Sequence, residues 1–516
     1  MEVHRAELTP VSLLERAGSV HAGRTAVVDG EVSYTYAEWR LRSRRLASAL
    51  RRAGVRRGDR VAFCALNSEP LLLAHFGVPQ AGGVLVAANT RLTADEVAYI
   101  VDHSVSRVVF HSPELAWQVA ALPASVRRIE LGPEFESFLE GGSGEAAGGW
   151  LEHELDLCAI DYTSGTTGQP KGVMYHHRGA HLNAVAMILE NRLTAESSFL
   201  WTLPMFHCNG WSHTWAVPAA GAKSVCLPRI DPPEVWRLLD AEGVTHFNAA
   251  PTVLIMLAND PTAHRLPRRV RVCTGGAPPS PTLIAQMDGF NVELVHLYGL
   301  TECYGPFTIN QPPPQLAGWS PERQAAYRAR QGVPQALAGR VRVVDEAMRD
   351  LPADGESMGE VVLHGNTVMK GYFRDEAATE SAFAGGWFHT GDVGVMHRDG
   401  SIELRDRKKD VIISGGENIS TIEVEQAVMS HPAVMEAAVI AVPDERWGEV
   451  PKAFVTLKPG CAATAPEIVE HVRGLIAHFK APKTVEFGEL PKTSTGKIQK
   501  YVLRDREWAG RAKRIN

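Results

Sequence analysis

Short apolar runs alternate with amphipathic stretches along most of the chain, and the two patterns set the elements. Thr25-Ala-Val-Val28 and Val32-Ser-Tyr34 flank Asp29-Gly30 and predict two strands around a tight turn. Thr35, followed three residues later by Glu38, predicts a capping box that opens a helix. Arg60-Val-Ala-Phe-Cys-Ala-Leu66 predicts a strand, and an apolar helix follows through Leu71 and Phe76. Thr93 and Glu96 open another helix, Arg107-Val-Val-Phe110 is a strand, and Leu157-Cys-Ala-Ile160 is a buried one. Strands that alternate with helices imply a largely parallel sheet covered on both faces.

Polar interruptions refine this picture. Arginine is dense between Arg40 and Arg60 and reads as a solvated helix face, with a site for a coenzyme phosphate as the sharper alternative. Residues 132–149, rich in Gly, Glu and Ser, read as a mobile surface excursion. Near the C-terminus, Ile422 to Val428 has helical spacing. Ala433 to Val442 and Lys452 to Leu457 read as strands, and Pro466 to Phe479 as a helix, which together suggest a smaller unit.

Several loops carry chemistry. Tyr162-Thr-Ser-Gly-Thr-Thr-Gly-Gln-Pro-Lys-Gly172 is dense in Gly and hydroxyl groups. Gly165 and Gly168 let the backbone approach an anion, Thr163, Ser164, Thr166 and Thr167 add donors, and Lys171 adds a charge that reaches a phosphate oxygen. It is not a Walker loop, because Pro170 stands where that loop needs Gly and Gly172 where it needs Ser or Thr. In Leu203-Pro-Met-Phe-His-Cys-Asn-Gly-Trp211, His207 by itself reads as a core histidine more readily than as a ligand, and Trp211 and Trp215 are pocket or core. Val270 to Ala277 ends in Gly275-Gly276-Ala277, either room for a ligand at a strand end or a plain turn. Val292 to Glu302 ends in Tyr298-Gly299-Leu300-Thr301-Glu302, with an aromatic ring able to stack a purine and oxygens able to hold a hard cation. Asp392, Arg407 and Lys497 sit in polar turns and, alone, would be ordinary surface residues.

Composition bounds the class. The chain has 516 residues, enough for about three or four domain-sized units. Its 45% apolar and 22% charged content is that of a globular enzyme, and the net charge of −6 argues against a nucleic-acid surface. Seven scattered cysteines without a C-x-x-C suggest neither a disulfide framework nor a zinc site. No apolar run reaches membrane-spanning length, and neither end carries a signal core or a Ser-Lys-Leu ending, so a cytoplasmic protein is expected.

Taken in order, these segments resemble the adenylate-forming superfamily of acyl-CoA synthetases, luciferases and non-ribosomal adenylation domains. The Met-Phe-His-Cys-Asn-Gly segment is similar to the medium-chain or aryl acyl-CoA ligase branch. The resemblance runs from about Pro10 to Arg504. It implies an α/β fold, with a large N-terminal domain (residues 1–408) of two β-sheet subdomains plus a distorted β-barrel, and a small mobile α+β C-terminal domain (residues 409–516).

The resemblance also implies roles. ATP would be held by Thr163, Ser164, Gly165, Thr166, Thr167, Gly168 and Lys171, then by Gly275, Gly276 and Ala277, Tyr298, Gly299, Thr301 and Glu302, and Asp392, Arg407 and Lys497. Mg2+ would sit on Glu302 and Thr163, and the acyl pocket would use His207, Trp211, Gly276, Leu300 and Tyr304. Coenzyme A would enter beside Gly415, Gly416, Glu417 and Asn418, and Lys409 would be the hinge. Lys497, His207 and Lys171 would be catalytic. The implied activity is ATP-dependent formation of an acyl-AMP from an apolar or aromatic carboxylic acid, followed by thioester formation with coenzyme A. Transfer to an amine, or to a separate CoA- or carrier-loading enzyme, is the alternative, and a non-catalytic sensor is a more distant one. The chain would act as a monomer or homodimer.

These assignments predict that Lys497→Ala slows adenylation by about 100-fold, the scale for losing one charge-stabilising donor. Thiolysis of supplied acyl-AMP should be largely spared. Pyrophosphate exchange that survives the substitution intact would remove the assigned role.

Overall fold

A computed structural model describes residue 4 and residues 6–146, 148–163, 170–407, 410–414, 417–444, 446–492 and 498–509. The strands predicted from apolar runs form two large sheets. Six strands lie in the order Arg127–Glu130, Val108–His111, Arg60–Cys64, Val84–Ala87, Leu157–Tyr162 and Gly172–His176. Nine lie in the order Val333–Pro334, Gly305–Ile309, Val292–Leu300, Val270–Thr274, His246–Ala249, Ser198–Leu200, Lys223–Val225, Thr25–Asp29 and Val32–Thr35. The central pairings of both sheets are parallel. Val61, Ala62, Phe63 and Cys64 are buried without a break, as a strand covered on both faces requires.

The helix Glu69–Gln80 explains how the sheets share one core. It contacts strands of both, and nearly every position along it is buried. Its apolar residues accordingly lie all round the axis rather than on one stripe. The capping boxes at Thr35 and Thr93 form as expected. An antiparallel four-stranded sheet follows, Gly339–Val344, Gly359–Gly365, Phe388–Met396 and Ile402–Arg407. A five-stranded sheet, with Val434–Asp444 and Gly448–Leu457 as its long hairpin, packs on the helices Thr421–Met429 and Ala465–Arg473 around a core of its own. The expected α/β architecture is borne out.

Three expectations are corrected. Residues 132–149 include a helix, Pro133–Glu140, whose Phe135 and Leu139 are buried and whose Phe135 and Phe138 rings pack edge-on against Phe110. Its apolar spacing is hidden in a Gly- and Glu-rich composition. The arginines after Arg40 are not simply a solvated face. Arg42 reaches Glu69 at 3.1 Å and Glu136 at 2.7 Å, Arg44 reaches Glu15 at 2.5 Å, and Arg51 donates to the carbonyls of Gln80 and Ala81. The helix expected to reach Phe479 stops at Arg473, with Gly474 as its C-cap.

Burial holds His75, His176, His177, His213, His246 and His296 down at about 4. Each stays neutral in the fold while the unfolded chain gains protons below about 6.5, so the stability present above that pH is lost as pH falls towards 4. Asp161, pushed up to about 8 by burial, acts in the opposite sense, as do Asp29, Glu69, Glu302 and Glu425, whose carboxyls burial also raises, while carboxylates held low by their hydrogen bonds and ion pairs, such as Glu15, Asp354 and Glu403, act with the six histidines. The thermal unfolding midpoint should therefore fall steadily from pH 6.5 towards pH 4, and a flat or rising midpoint over that range would contradict the burial assignments.

Candidate active site

The strand Leu157–Tyr162 turns back into Gly172–His176, and the phosphate-type loop lies between them. The Thr163 amide donates to the Lys171 carbonyl at 3.0 Å and closes the base of that loop. Ser164, Gly165, Thr166, Thr167 and Gly168 lie outside the described residues. The Phe373 amide donates to the Gly172 carbonyl at 2.7 Å and the Met174 amide to the Gly371 carbonyl at 3.0 Å, so residues 371–373 run alongside the second strand. This sets the Tyr372 ring beneath Lys171, whose Nζ is 4.8 Å from the ring centroid.

Tyr372 leads to the next element. Its hydroxyl donates to Glu302 Oε1 at 2.9 Å. Glu302 lies in a short turn, Thr301–Cys303, at the end of the long strand Val292–Leu300. Its carbonyl accepts from the Met369 amide at 2.7 Å, and the Thr301 carbonyl accepts from the Tyr175 hydroxyl at 2.5 Å. Burial pushes the Glu302 carboxyl up, and the Tyr372 hydroxyl partly offsets that. On the same strand, the buried Tyr298 hydroxyl donates to Asp392 Oδ2 at 2.7 Å. Arg407 Nε lies 3.4 Å from Asp392 Oδ1, the two residues being directly paired across neighbouring strands of the antiparallel sheet. The constellation from Lys171 through Tyr372, Glu302, Tyr298 and Asp392 to Arg407 joins three separate sheets. Tyr372 has no place in the sequence reading, because a Gly-Tyr pair in a loop carries no spacing signal.

The predicted acyl residues divide. His207 is half-buried and precedes the short turn Cys208–Trp211. Cys208 Sγ lies 3.5 Å from Thr301 Oγ1. Trp211 is buried, and Gly305 lets it sit there, since a Cβ at Gly305 would lie 3.1 Å from its Cα; Gly275 also faces the indole, but a Cβ there would first meet Leu297, at 2.8 Å. Gly276 and Ala277, just beyond, are exposed, and Gly299 and Leu300 are half-buried. Tyr304 is corrected from pocket to core. It is fully buried, its ring stacks on Tyr175 at 4.1 Å, and its hydroxyl accepts from the His176 amide at 2.8 Å. Trp215 is core as well, its indole N–H donating to the His75 carbonyl at 3.2 Å.

On the C-terminal side, Glu417 is exposed and begins the strand Glu417–Ile419, which also contains Asn418. Lys409, Gly415, Gly416 and Lys497 lie outside the described residues. Asp406, on the last strand before them, accepts from the Thr421 amide at 2.6 Å and so holds the start of the first C-terminal helix.

Residues 14–373 match the AMP-binding enzyme family, and residues 423–497 match the AMP-binding enzyme C-terminal domain. The chain belongs to the AMP-binding enzyme family. An acetate–CoA ligase of Humulus lupulus is 42% identical over 96% of this chain and 94% of its own length. A 4-hydroxybutyrate–CoA ligase of Metallosphaera sedula is 42% identical over the same shares. Among solved structures, ATP-bound MatB from Rhodopseudomonas palustris has a TM-score of 0.85 at 28% identity, covering 96% of this chain and 98% of that one. The resemblance drawn from the loops is borne out at the level of the superfamily. This AMP-binding enzyme is an acid–thiol ligase whose co-substrates are ATP and coenzyme A and whose substrate is a small carboxylic acid. No helix among its described residues is long and apolar enough to cross a membrane.

The expectation that Tyr298, Asp392 and Arg407 hold the nucleotide can be tested at the hydrogen bond that joins the first two. Removing that bond should be felt in ATP binding. Tyr298→Phe is expected to raise the KM for ATP about fivefold, the scale of one hydrogen bond, in a pyrophosphate-release assay. An unchanged KM would separate this pair from the nucleotide.

Proposed function

We propose that this AMP-binding enzyme activates a short apolar monocarboxylic acid and passes it to coenzyme A. In the first step a carboxylate oxygen of the acid attacks the α-phosphorus of ATP, and pyrophosphate leaves. In the second, the coenzyme A thiolate attacks the acyl carbon and AMP leaves. The first step brings two anions together, so its barrier is mainly one of charge and alignment. Lys171 and the hydroxyls and amides of the loop after Thr163 would take the phosphates, while Tyr298 and Asp392 with Arg407 would take the nucleoside. Lys497 would sit between the carboxylate and the α-phosphate.

Mg2+ fits the Glu302 position. Glu302 Oε1 accepts from the Tyr372 hydroxyl, and the carboxyl is only half-buried. No cluster of three or more His, Cys, Asp or Glu side chains suited to a metal occurs among the described residues. A cation there would have Glu302, with Thr163 as a second oxygen donor, and would complete its shell with phosphate oxygens and water, the usual manner of magnesium at nucleotide sites. When bound it would screen the phosphate charge.

For the second step we assign a rotation of residues 409–516 about Lys409. It would withdraw Lys497 and bring the strand of Glu417 and Asn418, with Gly415 and Gly416 before it, to the thiol channel.

One observation carries the choice of acid. Trp211 packs over Gly275 and Gly305 at the strand ends where an acyl group would lie, in a cluster with Leu203, Cys208, Cys273, Val295, Leu297 and Ile309. An indole in that place leaves little depth for a chain or ring. The names of the two relatives, acetate and 4-hydroxybutyrate ligases, support a short aliphatic acid over an aromatic one.

The test is the chain-length profile. The wild type should favour acetate to butyrate over hexanoate and benzoate. Trp211→Ala should raise the hexanoate-to-butyrate ratio of kcat/KM at least about tenfold, the scale of one or two methylenes in an apolar pocket. A wild type that prefers benzoate, or a variant with an unmoved profile, would contradict the assignment.

A further inference from the structure

The turn that carries His207 and Trp211 is strained. Cys208, Asn209, Gly210, Trp211 and Ser212 have φ of 44°, 39°, 60°, 52° and 60°, five successive residues in the left-handed region. Four of them have a Cβ, which makes the left-handed region unfavourable for each. A segment of this kind persists only where its surroundings over-determine it. Its internal bonds are few, the Gly210 amide to the His207 carbonyl at 2.8 Å and the Ser212 amide to the Asn209 carbonyl at 3.1 Å. The rest of its hold is external. The Asn209 side-chain amide donates to His75 Nε2 at 3.1 Å, and Asn183 donates to the Ser212 hydroxyl at 2.8 Å. The Asn209 backbone amide, second in the left-handed run, donates to Asp161 Oδ2 at 2.9 Å.

Asp161 differs from the other anchors in its place in the chain. It stands on the strand Leu157–Tyr162, whose next residues run directly into the phosphate-type loop. It is 2% exposed, and its other oxygen, Oδ1, has no hydrogen-bond partner. A carboxyl group buried with one oxygen unused is costly unless the other does something specific. Here the other oxygen joins the strand Leu157–Tyr162 to the turn at Asn209.

We propose that Asp161 is a positioning residue for adenylation, setting the acid-binding turn in register with the hairpin that carries Lys171 through the Asn209 amide. The requirement is geometric. Attack on the α-phosphorus needs reacting atoms about 3–3.5 Å apart and aligned, and a displacement of 1 Å costs about 100-fold. Asp161 reaches the turn through the Asn209 backbone amide, so its effect passes through the backbone of the turn. Burial favours the protonated carboxyl, which an asparagine imitates in shape while keeping the acceptor oxygen.

This inference rests on the reading that the acid lies against the turn from His207 to Ser212. The experiment compares wild type, Asp161→Ala and Asp161→Asn by pyrophosphate release, varying ATP and, separately, whichever acid of the acetate-to-hexanoate and benzoate panel the wild type uses best. Asp161→Ala should raise the KM for the acid at least about tenfold, since it leaves the Asn209 amide buried and unpaired. The KM for ATP should stay within about threefold, and Asp161→Asn should stay within about threefold of wild type in both, since it keeps the acceptor oxygen. A merely structural role would lower the unfolding midpoint of Asp161→Ala and leave the KM for the acid where it was, and that result would overturn the inference alone. Should Asp161→Ala fail to fold, Asp161→Asn decides: wild-type constants support the inference, and a tenfold rise in the acid's KM overturns it. A wild type inert with every acid of the panel would overturn the functional reading and this inference together.

Discussion

A 2.7 Å hydrogen bond from the Tyr298 hydroxyl to Asp392 ties the end of the nine-stranded sheet to the antiparallel sheet behind it. The rest of the site depends on that junction. It fixes the Glu302 turn, which in turn receives the Met369 amide and the Tyr372 hydroxyl, and Tyr372 brings in the hairpin that carries Lys171. Both groups of the 2.7 Å pair are buried, where an unpaired hydroxyl or carboxylate would be costly, so each requires the other. Three sheets with separate strand orders therefore meet at one place with little freedom to slide.

That rigidity suits the chemistry of an acid–thiol ligase. The protein supplies little covalent chemistry of its own, since nucleotide and acid provide the reacting atoms. Its task is to hold two anions in line and compensate their charge. Gly305 admits the backbone of Trp211 at close range, and the left-handed turn that carries Trp211 is held from outside by side chains on other elements. Alignment is thus built from packing and from backbone anchors as well as from the polar side chains that face the ligands.

The sequence revealed the elements whose cause is local. Continuous apolar runs such as Val61 to Cys64 became buried parallel strands, and Thr35–Glu38 and Thr93–Glu96 became capping boxes. Tyr298, Glu302, Asp392 and Arg407 were legible because their types and order fit nucleotide chemistry, and the geometry brings them together. What depends on contacts distant in sequence was not legible. Tyr372 reaches Glu302 across 70 positions, Asp161 reaches Asn209 across 48, and Arg42 finds Glu136 across 94, and no spacing rule covers such pairs. Tyr304 was misplaced for the same reason, since its stacking on Tyr175 is a tertiary contact that an aromatic beside a functional turn does not announce. The helix Pro133–Glu140 was hidden by flanking glycines, although Phe135 and Leu139 already had helical spacing.

The central claim is a two-step ligation through an acyl-AMP, and a single-turnover experiment reaches it most directly. Enzyme, ATP, Mg2+ and butyrate are mixed without coenzyme A, pyrophosphate and enzyme-bound butyryl-AMP are quantified, and coenzyme A is then added. The account predicts a burst of pyrophosphate equal to the active sites, a matching amount of bound butyryl-AMP, and its conversion to butyryl-CoA and AMP on addition of the thiol. Pyrophosphate release that does not depend on the acid, or butyryl-AMP that coenzyme A leaves undischarged, would contradict it.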